Sequence, residues 1–325
     1  MRLKILFHDN CFDGAAAAAL FAAFYRERID AAAEVVYKGL QHRSGDPFPA
    51  DAFDGDENVC VDFRYSASPR LGWWFDHHVS AFVTPADRAS FAADTSGRKF
   101  YDPDARSCTK MEAGVLAAKF GFSAGRFQEL IDWAELIDGA LFPDARTAVE
   151  LEAPALRLMT WVENNKDRAL TVRYIEDLQR AGLAEIASQD YVTGRLEPLL
   201  ARHRRAIEII GTRAVEKDGI VCFDLSEDGI EAHNKFIAYM LHPDCRYTVG
   251  VTRASGRMKV SVGFNPWSKL PREHNIAAIC ERYGGGGHPV VGAVSLPPGE
   301  VERARQVARE IVAELEGRAD RSSLS

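Results

Sequence analysis

Asp76-His77-His78 sets a carboxylate and two imidazoles in succession after an aromatic run, Trp73-Trp74-Phe75, that reads as the end of a buried strand. That donor set suits a divalent metal ion. It has company at suitable spacings. A strand over Leu3-Lys4-Ile5-Leu6-Phe7 runs into His8-Asp9-Asn10-Cys11-Phe12-Asp13-Gly14, and another, Asn58-Val59-Cys60-Val61, ends on Asp62. Parallel sheets hold ligands at the carboxyl ends of their strands, so acids from separate strand tips can converge there. Far downstream, Tyr283-Gly284-Gly285-Gly286-Gly287-His288-Pro289 combines four glycines with an imidazole. Without Cβ atoms that backbone can approach a bound group closely, which suits an anion.

The elements that must position these residues are legible in the apolar pattern. Up to about residue 142, strands over 3–7, 34–38, 58–62 and 72–76 accompany an Ala-rich helix over 14–28 and helices near 108–120 and 126–138. This is the rhythm of an α/β unit, a parallel sheet with flanking helices. Residues 146 to about 215 carry many helix formers and read as several helices. A strand over 220–224, a helix over 231–241 and two strands across 246–264 with a turn at Ser255-Gly256 follow. Helix 274–282, strand 290–296 and an amphipathic helix over 299–316 complete a compact α+β unit, with Arg318 to Ser325 as a frayed end. The expected division is a first domain over 1–195, a linker helix over 196–215 and a second domain over 216–325.

Taken together, these motifs resemble the DHH phosphoesterase superfamily in its two-domain form, a DHH domain followed by a smaller DHHA1 domain. The resemblance rests on the strand leading to His8–Gly14, the Asp62 strand tip, Asp76-His77-His78, the segment Ile137-Asp138-Gly139-Ala140-Leu141-Phe142 and the terminal Gly-Gly-Gly-Gly-His, and it spans nearly the whole chain. It implies metal-dependent hydrolysis of phosphoester or phosphoanhydride bonds. Asp13, Asp62, His77 and Asp138 would form the metal shell, with Mn²⁺ the expected ion and Mg²⁺, Zn²⁺ or Fe²⁺ as alternatives. By resemblance Asp62 bridges two ions, His77 is a ligand, Asp76 orients the cluster, and His78 faces the substrate phosphate to stabilise the transition state or protonate the leaving group. Asp138 is preferred to Asp132 because its Asp-Gly-Ala-Leu-Phe context is similar to the family's Asp-Thr-Gly-x-Phe. Gly285, Gly286 and Gly287 would hold the far end of the substrate, with His288 on a phosphate or terminal hydroxyl. Asn265 lies in the segment Ser261–Asn265 where the family presents an Arg-Ser pair; that pair is not evident, and Arg253, Arg257 or Arg272 are its candidate substitutes.

The first motif departs from the family pattern His-x-Asn-Pro-Asp-x-Asp. The chain keeps His8, Asn10 and one later acid, and the missing acid falls at Cys11 or at Phe12, depending on whether Asp13-Gly14 or His8 anchors the alignment. Three outcomes are open: Asp9 supplies the lost oxygen, Cys11 ligates a softer ion such as Zn²⁺ or Fe²⁺, or Cys11 packs on the sheet and one of two sites is weak. The site residues also have plainer roles, with Asp76 as a helix cap, the histidines satisfying buried backbone groups and the glycines forming a turn.

At 325 residues, 46% hydrophobic and 27% charged, the chain suits two folded domains. The absence of a membrane-length apolar run and of a leader pattern makes a cytoplasmic location the expectation. Six scattered cysteines without a Cys-x-x-Cys pair offer neither a disulfide framework nor a structural zinc site. A net charge of −7 argues against long duplex nucleic acid and for a small anion held by metal and a few local donors; the resemblance, to the two-domain members that trim oligonucleotides, implies a small anionic nucleotide or short oligonucleotide. Arg202-His203-Arg204-Arg205, the one basic cluster, reads as a solvated helix face. Competing functions are polyphosphate or pyrophosphate hydrolysis, against which base stacking on Phe264 or Trp267 would speak, and a non-catalytic nucleotide sensor with a degenerate first motif. The sequence leaves oligomeric state open and allows a homodimer.

Overall fold

The strands of the first unit are apolar on both faces, as expected of a sheet covered by helices on each side. β1 (Arg2–His8), β2 (Glu34–Leu40), β3 (Glu57–Val61), β4 (Trp73–Asp76) and β5 (Lys99–Tyr101) are parallel and lie in the order β2-β1-β3-β4-β5. The computed structural model describes residues 1–41, 46–254 and 256–317; Ser255 of the expected turn and the tail 318–325 lie outside them. The chain divides into two compact units, 1–142 with 151–197, and 143–150 with 198–325.

β1 is flanked by β2 on one side and β3 on the other, so chain direction across the sheet reverses between β1 and β3. Their carboxyl ends, carrying His8 and Asp62, flank the crevice where doubly wound sheets bind ligands. Among the helices, α1 (Phe12–Arg28) is buried from Phe12 to Tyr25. Its alanines at 15–19 keep the cylinder narrow on the sheet. The helices that follow are α2 (Pro85–Ala92), α3 (Cys108–Phe120), α4 (Gln128–Asp138), α5 (Ala145–Glu150, in the second unit), α6 (Pro154–Asn164), α7 (Arg168–Leu178), α8 (Leu183–Ala187) and α9 (Asp190–Arg213), and of these α3, α4 and α7 pack most extensively on α1. Gly14 makes the docking of α1 feasible: a Cβ there would sit 2.3 Å from the His8 carbonyl oxygen, so only glycine lets the first turn of the helix close against the end of β1. The approach carries Asp13 to the strand tips.

The second unit holds a mixed sheet of β6 (Val215–Lys217), β7 (Ile220–Asp224), β8 (Tyr247–Ala254), β9 (Arg257–Phe264), β10 (Gly286–His288) and β11 (Val291–Leu296), in the order β10-β11-β9-β8-β7-β6. Only β7 and β8 pair in parallel. α10 (Ile237–Leu241), α11 (Ile276–Glu281) and α12 (Val301–Leu315) accompany it, and α12 buries Ala304, Val307, Ile311 and Leu315 in a core with Val249, Val260 and Val294. A parallel-sheet unit followed by a smaller α+β unit is the expected architecture.

Two of the expected segments take another form, and α2, β5 and β6 were not among the expected elements. The helix expected over 231–241 is only α10, because the Asn234 amide donates to the Ala148 carbonyl (2.8 Å) while its oxygen accepts from the Phe236 N–H (2.9 Å), a local turn that competes with helix. The glycine run is not an open loop: Gly286–His288 forms edge strand β10. A Cβ on Gly285 would lie 2.2 Å from the Ala293 carbonyl oxygen and one on Gly287 2.2 Å from that of Val291, so close strand pairing itself requires glycine here. Among the described residues no helix is long and apolar enough to cross a membrane.

Candidate metal centre

Asp76, the last residue of β4, is fully buried and works as a clamp. Its Oδ1 accepts from the backbone N–H groups of His77 (2.8 Å) and His78 (3.2 Å) and from His78 Nδ1 (2.7 Å). The His78 ring and the backbone of both histidines are thereby fixed at the end of β4. His77 Nδ1 lies 3.0 Å from the Ala105 carbonyl oxygen, which can only accept, so Nδ1 carries the hydrogen and Nε2 is the ligating nitrogen of the neutral ring. That Nε2 is 3.4 Å from Asp62 Oδ1, 3.3 Å from Asp138 Oδ2 and 3.9 Å from Asp13 Oδ2.

Asp62, one residue beyond β3, adopts a left-handed backbone with φ 54°, rare for a residue with a Cβ. The bend brings its carboxylate under the cluster, where Oδ2 lies 3.4 Å from His8 Nδ1 and accepts from the Cys11 thiol at 3.5 Å. Cys11 also caps α1, its sulfur accepting from the Gly14 N–H. Of the two alignments of the first motif, the structure brings Cys11 to the cluster, while Phe12 is buried in the helix core.

Three sets of donor atoms fall within 4.8 Å of one another: His8, Cys11 and Asp62; Asp62, His77 and His78; Asp13, His77 and Asp138. Asp62 and His77 each belong to two sets, so the arrangement reads as two adjoining positions with a shared wall. Asp132 lies elsewhere on α4, exposed and bonded to Gln128. Asp9 belongs to none of the three sets and lines a neighbouring cavity instead.

The electrostatics are those of a site built for a cation. Burial raises Asp13 well above the ordinary carboxylate range, and the charges of Asp62 and Asp138 add to this. Asp138 is raised by burial and Asp62. Burial would also raise Asp62, but the imidazoles of His77 and His8 overcome it and hold the carboxyl low. Burial would lower His77, yet Asp62 and Asp13 push it up to about 10, and Asp76 and Asp62 likewise raise His78 against burial. Asp62 Oδ1, Asp76 Oδ2 and His77 Nε2 are buried without a hydrogen-bond partner. Orphaned oxygens and nitrogen around mutually repelling acids fit a divalent ion, which satisfies the lone pairs and removes the repulsion.

Sequence reading missed how Asp13 is held. Its Oδ2 accepts from the Cys108 N–H (2.6 Å) and Oδ1 from the Thr109 N–H (3.0 Å), and its own carbonyl accepts from the Thr109 hydroxyl (3.1 Å). The acid ties α1 to the first turn of α3. Asp13→Ala is therefore expected to destabilise the protein by roughly 2 kcal/mol in chelator, because two buried N–H groups lose their acceptor. A urea midpoint unchanged from wild type would disprove that role. Glu112, one turn along α3, is fully buried with neither oxygen partnered, and burial with Asp13 and Asp62 nearby raises it well above the ordinary range. No sequence signal marked either contact, since the partners lie some 95 residues apart.

In the second unit, Gly286, Gly287 and His288 form β10 beside Gly285, while Asn265 is buried with its amide donating to the Pro243 and Cys245 carbonyls and its oxygen accepting from Trp267 N–H. That side chain is spent on its own loop, a correction to its placement among substrate contacts. Trp267 packs edge-on against Phe236 (5.3 Å) and Phe264 lies against Tyr247 (5.7 Å), both rings half-buried.

No family model and no curated protein matches the chain. Solved structures do. The pGpG-specific phosphodiesterase PggH from Vibrio cholerae superposes with a TM-score of 0.70 at 21% identity, over 98% of this chain and 99% of that one. The DHH domain of a protein described as a member of a ribosomal-protein family gives 0.59 at 13%, over 96% and 86%. RecJ from Thermus thermophilus in complex with Mg²⁺ gives 0.51 at 12%, over 96% of this chain and 50% of RecJ. With its parallel sheet ending in Asp62 and Asp76-His77-His78, the chain has the fold of the DHH-domain proteins.

Proposed function

We propose that this protein is a metal-dependent phosphoesterase that hydrolyses phosphodiester or phosphomonoester bonds of dinucleotides, short oligonucleotides or other small nucleotides. The observation that carries the reading is the shared carboxylate of Asp62 between two donor sets, with His78 at their margin. A divalent ion held there supplies charge neutralisation for phosphoryl oxygens and a nucleophile from water at neutral pH. The chain's own residues do the rest. Asp13, Asp62, His77 and Asp138 are the proposed ligands, with His8 and Cys11 on the far side of Asp62. Asp76 holds the His78 ring by its Nδ1, which fixes the tautomer and raises its basicity, so that His78 can hold a proton for the departing oxygen. Gly285 to His288 are proposed to receive the far end of the substrate.

The likeness to a pGpG-specific phosphodiesterase over almost the full length of both chains supports a linear dinucleotide ahead of polyphosphate. The carboxylates and imidazoles support Mn²⁺, and Cys11 beside His8 supports a softer ion such as Zn²⁺ or Fe²⁺ at the second position. A cytoplasmic location and a homodimer belong to the same proposal. The test is chromatography of products after incubation with Mn²⁺ and pGpG, short oligoribonucleotides, 3′-phosphoadenosine 5′-phosphate, cyclic dinucleotides and polyphosphate. Turnover of a nucleotide that chelator, Asp76→Ala and His77→Ala each remove is the expected result. Turnover of polyphosphate alone, or no turnover with Mn²⁺, Mg²⁺, Zn²⁺ or Fe²⁺, would overturn it.

A further inference from the structure

Arg64, two residues beyond Asp62, is an anomaly. Its Nε is buried without a hydrogen-bond partner, and its guanidinium makes no hydrogen bond or ion pair with any described residue. Buried donors are almost always satisfied, so an orphaned one beside a cavity marks a place for an acceptor from outside. The cavity it lines measures about 310 Å³ and lies wholly in the first unit. Phe63 stands between it and the metal centre: that ring is 6.0 Å from the His8 imidazole and 5.9 Å from Phe48, which belongs to the cavity wall.

The wall combines three kinds of surface. Pro47, Phe48 and Val83 are apolar, and Phe48 is half-buried, its backbone N–H held by Asp46 Oδ1 at 2.9 Å. Arg64 supplies donors. Asp87 supplies an acceptor: its Oδ2 takes the Thr84 N–H and hydroxyl at the start of α2, both at 2.9 Å, which leaves Oδ1 without a partner among the described residues. Neither Asp46 nor Asp87 pairs with Arg64, so a guanidinium and two carboxylates line one space without neutralising each other. Those carboxylates repel a phosphate. A flat ring with acceptors on one edge and donors on the next satisfies every part of the wall. Guanine is such a ring, since it accepts an arginine fork at O6 and N7 and donates from N1 and N2 to a carboxylate. Adenine turns an amino group towards the guanidinium where guanine has O6.

We propose that this cavity receives a guanine base of the substrate and selects guanine over adenine nucleotides. The inference rests on the nucleotide phosphoesterase reading of the neighbouring centre. Arg64 grips the O6–N7 edge with its planar fork of donors, Asp87 accepts from N1 and N2, and the Phe48 ring lies against the face of the base.

The test is equilibrium binding of GMP, AMP and ribose 5-phosphate, measured by calorimetry in chelator on the full chain. Wild type is expected to bind GMP about tenfold or more tighter than AMP, and ribose 5-phosphate more weakly than either. Arg64→Lys keeps the charge but not the fork, and is expected to bring GMP to within about threefold of AMP while ribose 5-phosphate is unchanged. Asp87→Asn, on another part of the wall, is expected to weaken GMP and spare AMP, and serves if Arg64→Lys melts early in circular dichroism. A wild type that binds GMP and AMP alike, variants that keep the full preference, or an Arg64→Lys protein that loses ribose 5-phosphate as much as GMP would overturn the guanine site. Turnover of pGpG with Mn²⁺ by wild type judges the centre separately: a retained GMP preference without turnover would sink the phosphoesterase reading and leave a guanine-nucleotide binder.

Discussion

Asp62→Asn is expected to lower kcat by roughly 10³-fold or more at saturating Mn²⁺, the largest effect of any single change in this chain. The carboxylate is the common member of the His8–Cys11 and His77–His78 sets, so losing its charge weakens both positions at once. The same change also strips the partner that holds His77 and His8 in place from the opposite side, at 3.4 Å from each. By contrast His8→Gln removes one donor from one set and is expected to cost roughly 10- to 100-fold, in the range seen when a single contact to a metal site is lost. Steady-state kinetics together with metal content after dialysis would check both. If Asp62→Asn stayed within tenfold of wild type, or lost no more metal than His8→Gln, the shared-wall reading would be wrong.

The second large effect is on stability. Removing divalent metal is expected to lower the melting temperature most at alkaline pH. The sign follows from the shifts. Asp13, Asp138 and Glu112 are raised in the folded protein, so they favour folding while protonated and oppose it once pH exceeds their ordinary values. His77, raised to about 10, contributes stability that is complete below its ordinary value of 6.5 and declines as pH climbs towards 10. Asp62 runs the other way: it is held low, so its contribution is present above the ordinary carboxylate value and is lost only in acid. Between about pH 6 and 9 the raised groups set the trend, and the metal-free protein loses stability. A bound cation displaces the His77 proton and pairs the acids, so its stabilisation grows with pH. At 100 times its dissociation constant an ion adds about 2.7 kcal/mol, which is roughly 5–10 °C for a domain of this size. Calorimetric melts at pH 6, 7.5 and 9, with Mn²⁺ and with chelator, would show a widening gap. A gap that narrows with pH would contradict the assignment of these groups as ligands.

The chemistry was legible wherever it is local. Asp76, His77 and His78 are adjacent in the chain, and the clamp that Asp76 forms on the next two residues depends only on a strand ending there. Asp62 was legible for the same reason, as an acid closing an apolar run. Their convergence also followed, because parallel strands end on one edge of a sheet. What the strand pattern did not contain was the left-handed turn at Asp62 that swings the carboxylate under His77.

Other features had no signature in the sequence because they are bonds between distant segments. Ala105 fixes the His77 tautomer from 28 residues away, Asp13 caps α3 across 95 residues, and Asn10 reaches Val162 and Asn165 across more than 150. Those last two bonds tie the segment before α7 to the loop that follows β1. The glycine run was ambiguous for a related reason: glycine suits both an open loop and a strand packed too closely for any Cβ, and the pairing of β10 with β11 selects the strand. Residue type and order thus determined which chemistry this protein can do and on which sheet edge, since both depend on short-range periodicity. Which donors come within reach of one another and which acid braces a helix were decided by tertiary structure, because each is a distance between residues that the chain keeps far apart.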